Sequence, residues 1–364
     1  MPEIKSKNIA VALDMHGCPN RCRHCYLGYG SDTKMSAQDL RWVAQLFRNY
    51  VRSGETVPFI GKLTVSSWFR EPDFSDDYEC LYELEAELSD DKPARFELLS
   101  VWRLARDENY AKWAKKIGTE ICQITFFGME ETNDWFYRRK GAFEDNLAAT
   151  ERLLEAGIKP RWQICLTRKV IPEIGQILKL IEQLKLRDKV KSLGGDFVVF
   201  LHTPSPDGEA RKIEYLRPAI EETKLIPSEI VEESKKHFKQ KRLWYPESEL
   251  ISQILAEEEK FPYAYPYPQP LWFLIDANWD IFSNVGPLEP WWKLDNLKRD
   301  TVQAIFNSFE NNKAVGLETI YGVSPKKLAK RFGNTNNRII YSSRNELEIL
   351  FVSKYCEEIY YSGK

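Results

Sequence analysis

Apolar positions along the first two-thirds of the chain fall into a repeating order, a short run of strand length followed by a longer stretch at helical spacing. Asn8-Ile9-Ala10-Val11-Ala12-Leu13 is a largely apolar run that predicts a buried first strand. Leu40, Val43, Phe47 and Val51 then recur every three or four residues up to Gly54, behind Ser36 and Asp39 at the spacing of a capping box, and predict a helix. The order repeats. Residues 61–65 precede a helix carrying Tyr78, Leu81, Leu84 and Leu88, and residues 96–101 precede one ending near Gly118. Residues 121–126 precede a helix ending at Gly157, residues 162–167 one ending near Leu186, and residues 197–201 form a sixth strand. Alternating strands and helices predict an α/β fold with a parallel sheet and helices outside it. Periodicity alone leaves an open sheet and a barrel equally open.

Beyond Arg211 the pattern changes to a charged helical stretch reaching about Gln240. Phe261-Pro262-Tyr263-Ala264-Tyr265-Pro266-Tyr267-Pro268-Gln269-Pro270 follows, whose prolines exclude a helix and predict a stiff extended linker. Strand-like residues resume at Leu271. These changes divide the chain into 1–210, a linker 211–270 and a C-terminal unit 271–364.

Composition narrows the class. With 43% hydrophobic and 29% charged residues, and no apolar run near the roughly 20 residues that span a bilayer, the chain reads as soluble, with no membrane partner. Met1-Pro2-Glu3-Ile4-Lys5 has no signal-peptide apolar core, which predicts a cytoplasmic protein. A net charge of -2 gives no footprint for nucleic acid. Cys80, Cys122, Cys165 and Cys356 are scattered singly, unlike a disulfide framework.

The other three of the 7 cysteines are grouped in Cys18-Pro19-Asn20-Arg21-Cys22-Arg23-His24-Cys25, at the spacing C-x3-C-x2-C. Three thiolates on one short loop suit an iron–sulfur centre left one ligand short. A zinc site using His16 or His24 as fourth ligand is the competing reading, against which stands the absence of a second cysteine or histidine pair. Such a site would make the chain a non-catalytic structural or regulatory module.

The cysteine spacing resembles that of the radical S-adenosylmethionine (SAM) enzymes, in which an aromatic residue usually precedes the last cysteine, a place held here by His24. The resemblance implies a partial (β/α)6, TIM-like barrel over roughly residues 8–210. It also implies a [4Fe-4S] cluster on Cys18, Cys22 and Cys25, with SAM on the open iron. The cluster would cleave SAM to a 5′-deoxyadenosyl radical that takes a hydrogen atom from substrate. A flavodoxin- or ferredoxin-type electron donor is implied as well.

Further segments resemble motifs of that family. Phe69-Arg70-Glu71-Pro72 keeps the last two residues of a Gly-Gly-Glu-Pro motif, so Glu71 is the implied acceptor for the SAM amine. In Gln123-to-Gly157 the family serine at the strand tip falls on Thr125. The family arginine falls on Tyr137, with Arg138 the residue expected to take over its carboxylate-binding work. Alternation along the strands groups Gln123 with Thr125, and Gln163 with Cys165 and Thr167, leaving Cys122 outward. Cys165 is thereby a candidate thiol for returning a hydrogen atom to a substrate radical. Pro206-Asp207-Gly208-Glu209-Ala210 resembles a turn near the cofactor, with Gly208 as its hinge.

The stretch from Leu271 to Asn284, followed by Trp292 to Leu297, resembles the opening of an α+β SPASM domain. That domain normally binds auxiliary clusters through cysteines, yet Cys356 is the one cysteine in this third of the chain. One thiol cannot hold a cube, so the resemblance implies a SPASM-like extension without an auxiliary cluster. Relatives act on peptides or small natural products by epimerisation, rearrangement, elimination, coupling or oxidation, and a peptide or amino-acid-derived substrate is the favoured expectation.

Overall fold

The computed structural model describes residues 6–15, 17–28, 35–93, 97–259, 270–284 and 286–363. His16 and residues 261–269 of the proline–aromatic segment lie outside them. Strand β1 (Asn8–Asp14) leads to α1 (Ala37–Arg48), β2 (Lys62–Trp68), α2 (Tyr78–Leu88) and the short helices α3 (Val101–Leu104) and α4 (Tyr110–Lys116). Then come β3 (Ile121–Phe126), α5 (Glu130–Tyr137), α6 (Ala142–Glu155), β4 (Lys159–Cys165), α7 (Ile174–Gln183), α8 (Leu186–Ser192) and β5 (Val198–His202). The remainder holds α9 (Ser228–Phe238), β6 (Tyr245–Pro246), α10 (Glu247–Ala256), β7 (Leu271–Ile275), β8 (Asp280–Phe282) and β9 (Lys293–Asn296). It ends with α11 (Val302–Glu310), α12 (Val315–Gly322), α13 (Pro325–Phe332), β10 (Ile340–Tyr341) and α14 (Arg344–Ser362).

The architecture is mixed α/β. β3, β4 and β5 form one parallel sheet, and a second sheet runs β2-β1-β7-β8-β9. From Ile9 onward β1 is buried on both faces, as a central parallel strand must be. The predicted capping box opens α1: Ser36 Oγ accepts from Asp39 N at 3.2 Å while Asp39 Oδ2 accepts from Ser36 N at 2.8 Å.

The third predicted strand, residues 96–101, is corrected. Among its described residues Glu97 receives one bond from Gln123 N at 2.8 Å, and Ser100 turns the chain into α3. Ser100 Oγ accepts from Arg103 N at 3.0 Å, capping α3, and the Tyr110 hydroxyl accepts from Ser100 N at 3.2 Å. Side-chain bonds thus satisfy the backbone that a strand would have paired.

The strand-like stretch from Leu271 forms antiparallel β7 and β8. β7 also lies parallel to β1, on the side away from β2, with Val11 opposite Phe273. The C-terminal segment therefore enters the N-terminal sheet, and one apolar core joins Ile9, Val11 and Phe47 to Phe273, Ile275 and Phe306. A second core lies behind β3–β5, where Trp162 packs 4.0 Å from Phe126 between ring centroids. No helix among the described residues is long and apolar enough to cross a membrane.

Candidate functional site around the cysteine loop

Past Asp14 the chain leaves β1 and forms the loop that carries Cys18, Cys22 and Cys25. Several elements hold it. Arg23 N donates to Phe136 O at 2.8 Å and Arg21 N to Tyr137 O at 3.4 Å, so the loop answers carbonyls that the end of α5 leaves unpaired. Arg23 Nε reaches Trp135 O at 3.0 Å, and Arg139 Nε donates to Asn20 Oδ1 at 2.6 Å. On the far side, Glu209 N donates to Cys25 O at 2.9 Å.

The three thiols are half-buried, Cys22 within the electrostatic reach of both others, and Cys18 and Cys22 within that of Glu71. Burial, then the nearby Glu71 charge, pushes Cys18 up to about 12. Cys22 is raised by burial and then by Cys18 and Cys25, and Cys25 is raised by burial. Without a cation the loop therefore keeps its protons, and a metal centre there would displace them. Among the described residues no three Cys, His, Asp or Glu side chains converge as ligands of one ion.

Glu71 sits beside this loop, its N–H on Gly17 O at 3.3 Å. Its Oε1 accepts from Ser100 Oγ at 2.8 Å and from Trp102 N, in the first turn of α3, at 3.0 Å. Burial raises its pKa against the opposing pull of these two bonds. Just before it, Arg70 Nη1 pairs with Asp14 Oδ1 at 2.6 Å, both side chains at most 5% exposed.

His24 lies on Phe127, ring centroids 3.9 Å apart, and burial lowers its pKa to about 3. The imidazole is therefore neutral, and its buried Nδ1 has no hydrogen-bond partner among the described residues. Thr125 is half-buried on the face of β3 opposite Cys122, Ile124 and Phe126, which enter the core. Its carbonyl accepts from Tyr137 Oη at 3.2 Å and Asn146 Nδ2 at 2.9 Å. Gly208 has φ +55°, and a Cβ built on it would lie 2.5 Å from Tyr26 O and 2.8 Å from Cys25 O. The turn is pressed directly against the cysteine loop.

No family model matches the chain. A stretch of 80 residues, 22% of the chain, is 31% identical to the Fe-coproporphyrin III synthase of Methanosarcina barkeri, and the chain spans about a fifth of that protein, 20%. Among solved structures, native anSMEcpe with bound AdoMet is similar with a TM-score of 0.51 at 11% identity, over 95% of this chain and 96% of that one. The same protein with AdoMet and the Cp18Cys peptide gives 0.51 at 12% identity, over 98% and 99%.

The chain shares its fold with anSMEcpe. Within this fold, Glu71 and Gly208 lie against the loop that carries Cys18, Cys22, His24 and Cys25, and Tyr137 links Thr125 to it. Arg138 points to Glu209, 3.9 Å away. Its neighbour Arg139 is the arginine that reaches the loop, through Asn20, while its Nη2 holds Asp145 at 2.5 Å. Cys165 stands apart at 3% exposure, raised by burial and flanked by the charges of Arg217 and Glu346.

Three positioning groups were missed in the sequence: Ser100, Arg139 and the Asp14–Arg70 pair. A serine directly before the helix-forming Val101-Trp102-Arg103-Leu104 could have pointed to Ser100 as an N-cap. For the buried pair there was only the departure of Arg70 from a glycine.

Proposed function

We propose that the protein is a radical SAM enzyme in which Cys18, Cys22 and Cys25 hold a [4Fe-4S] cluster and the open corner takes SAM. The observation that carries this reading is that three thiols share one short loop against which an anchored carboxylate and a glycine turn are packed. The donor set fits: three thiolates leave one corner for a ligand, and Glu71, fixed through Oε1, offers an acceptor to an ammonium group. When bound, cluster and SAM together supply a 5′-deoxyadenosyl radical able to take a hydrogen atom from substrate.

The chain's own residues then bind, orient and exclude water. Ser100 and Trp102 N hold the Glu71 carboxylate in its buried place, Thr125 orients SAM from the tip of β3, and Arg138 stands near for its carboxylate. Gly208 lets a second backbone close over the loop. Strands β2-β1 and β3–β5 read as the two arcs of a partial TIM-like barrel in residues 1–210, with five strands in place of the six expected, and 271–364 as the SPASM-like extension whose β7–β9 continue the first arc. Cys165 can return a hydrogen atom only to a substrate that reaches its enclosed thiol.

A cavity of about 790 Å³ runs from Leu27, Gly28 and Gly208 to Lys354 and Tyr361 on α14 and suits an extended substrate. A peptide is the favoured class, supported by the peptide-bound anSMEcpe structure. A flavodoxin- or ferredoxin-type donor supplies the electron, and a cytoplasmic setting suits an open cluster.

Anaerobic reconstitution with iron and sulfide, followed by reduction with SAM, is expected to yield 5′-deoxyadenosine. A tightly held zinc with no cluster would overturn the proposal in favour of a structural metal module. Glu71→Ala is expected to weaken SAM binding about 10- to 100-fold in equilibrium dialysis, the worth of a charge-assisted hydrogen bond. Unchanged affinity would remove Glu71 from the site.

A further inference from the structure

We propose that the 790 Å³ cavity takes its peptide by a basic side chain, with Glu289 as the carboxylate that receives the ammonium or guanidinium group. This deepens the peptide reading given above and rests on it. Among the described residues the cavity wall carries five carboxylates against three cations. Arg211 is held by Glu357 and Lys212 by Glu209, while Glu214 is answered from behind by Arg217. The third cation, Lys354, acts on Glu214. Glu247 accepts from Asn334 N at 2.9 Å and from Asn337 Nδ2 at 2.5 Å. The half-buried Glu289 carboxylate has neither an ion pair nor a hydrogen bond among the described residues. The charges around it are Arg211 and Lys212, both already engaged, and Glu357 and Asp207, which repel it. The groups directly behind the wall, Arg138 and Arg217 against Asp207 and Glu346, add two of each sign and leave the acidic excess unchanged.

A second observation is independent of charge. Trp291, two residues from Glu289 and 2% exposed, lines the same cavity, and its buried indole Nε1 has no hydrogen-bond partner among the described residues. A buried N–H without an acceptor is costly, and a ligand carbonyl in the cavity would supply one. An unpaired acceptor and an unpaired donor on one wall ask for a ligand with a cation beside a carbonyl, which a lysine or arginine residue of a peptide presents. Tyr215 and Tyr361, 63% and 56% exposed on the same cavity, offer ring faces to the alkyl stem and the charge it carries. The wall also meets the cysteine loop. A Cβ built on Gly28 would lie 3.9 Å from Pro287, two residues before Glu289, and Gly28 N donates to Cys25 O at 3.3 Å. A basic residue held by Glu289 therefore leaves its neighbours in the peptide beside the loop.

Calorimetry on the full-length reconstituted protein with SAM compares heptapeptides that differ only in a central lysine, norleucine or glutamate. The lysine peptide is expected to bind about tenfold more tightly than the norleucine peptide at low ionic strength, the margin shrinking in salt, with the glutamate peptide weakest. In Glu289→Gln the preference for lysine should vanish while the norleucine peptide binds as before, which also shows that the fold is kept. Spermidine, a cation with no carbonyl, is expected to bind more weakly than the lysine peptide. Equal binding of the lysine and norleucine peptides by wild type overturns the inference. So does a lysine preference that survives in Glu289→Gln, a variant that loses both peptides alike, or spermidine bound as tightly as the lysine peptide. Peptide binding is read apart from 5′-deoxyadenosine formation. A protein that prefers the lysine peptide yet cleaves no SAM keeps the Glu289 site and loses the radical SAM reading.

Discussion

Replacing Gly208 by valine is expected to abolish assembly of the proposed cluster as completely as replacing Cys22 by alanine. Gly208 adopts φ +55°, where a β-branched residue is strained by more than the roughly 1–2 kcal/mol usual for side chains in that region. Its added Cβ would also meet two backbone oxygens, Tyr26 O at 2.5 Å and Cys25 O at 2.8 Å. No rotamer relieves a contact between backbones. The turn must therefore retreat, the Glu209 N to Cys25 O bond at 2.9 Å is lost, and the Cys25 carbonyl keeps only the longer bond from Gly28 N at 3.3 Å. A cluster needs all three thiolates at their places, so a shift of this one removes a ligand. Gly208 lines a cavity and is not part of a packed core, so Gly208→Val should keep its circular dichroism. Iron and sulfide content after reconstitution decides the matter. A Gly208→Val protein with a full complement of both would show that the turn does not support the loop.

How far the chain could be read in advance depends on whether the information was local. β1 to β5 were legible apart from the missing third strand, because apolar runs and helical spacing are local. Residues 96–101 misled for a physical reason. Leu98 and Leu99 look like strand, but Ser100 is taken up by the α3 cap and by Glu71. The cysteines and Glu71 were legible as chemistry, since their spacing carries it. That Arg139, and not Arg138, reaches the loop was not. Arg138 sits at φ +52° just past α5, which turns the next side chain toward Asn20, and the sequence contains no sign of that cap. The pairing of β7 with β1 joins residues some 260 positions apart, and no window of local pattern reaches that far. The apolar pattern announced a strand at Leu271 but not its neighbour.

Arg217→Met is expected to destabilise the fold by about 3–5 kcal/mol, the usual cost of breaking a buried ion pair by removing one partner. Arg217 is 1% exposed, and its Nη1 lies 2.7 Å from Glu346 Oε1 while Nε spans Glu214 Oε1 and Oε2 at 2.8 and 2.9 Å. It also donates to Pro204 O. Glu346 in turn accepts from Ser342 N at 2.6 Å and from Thr203 Oγ1 at 3.1 Å. One guanidinium thus ties the turn after β5 to the start of α14, the helix that walls the 790 Å³ cavity. Methionine matches the apolar length of the side chain but leaves two carboxylates facing each other without a cation. Burial already raises Glu214, with Arg217 as the largest opposing influence. Without that influence its folded pKa climbs further above the unfolded value. A group raised in this way contributes stability at low pH and loses it as pH rises through the folded pKa. The deficit of Arg217→Met should therefore be largest near neutrality and narrow as pH falls. Urea unfolding of both proteins at several pH values measures it, and adding Glu346→Gln to the variant should recover part of the loss by removing one orphaned charge. A deficit under about 1 kcal/mol at neutral pH, or one that grows in acid, would mean that packing and not the buried charge holds α14 in place.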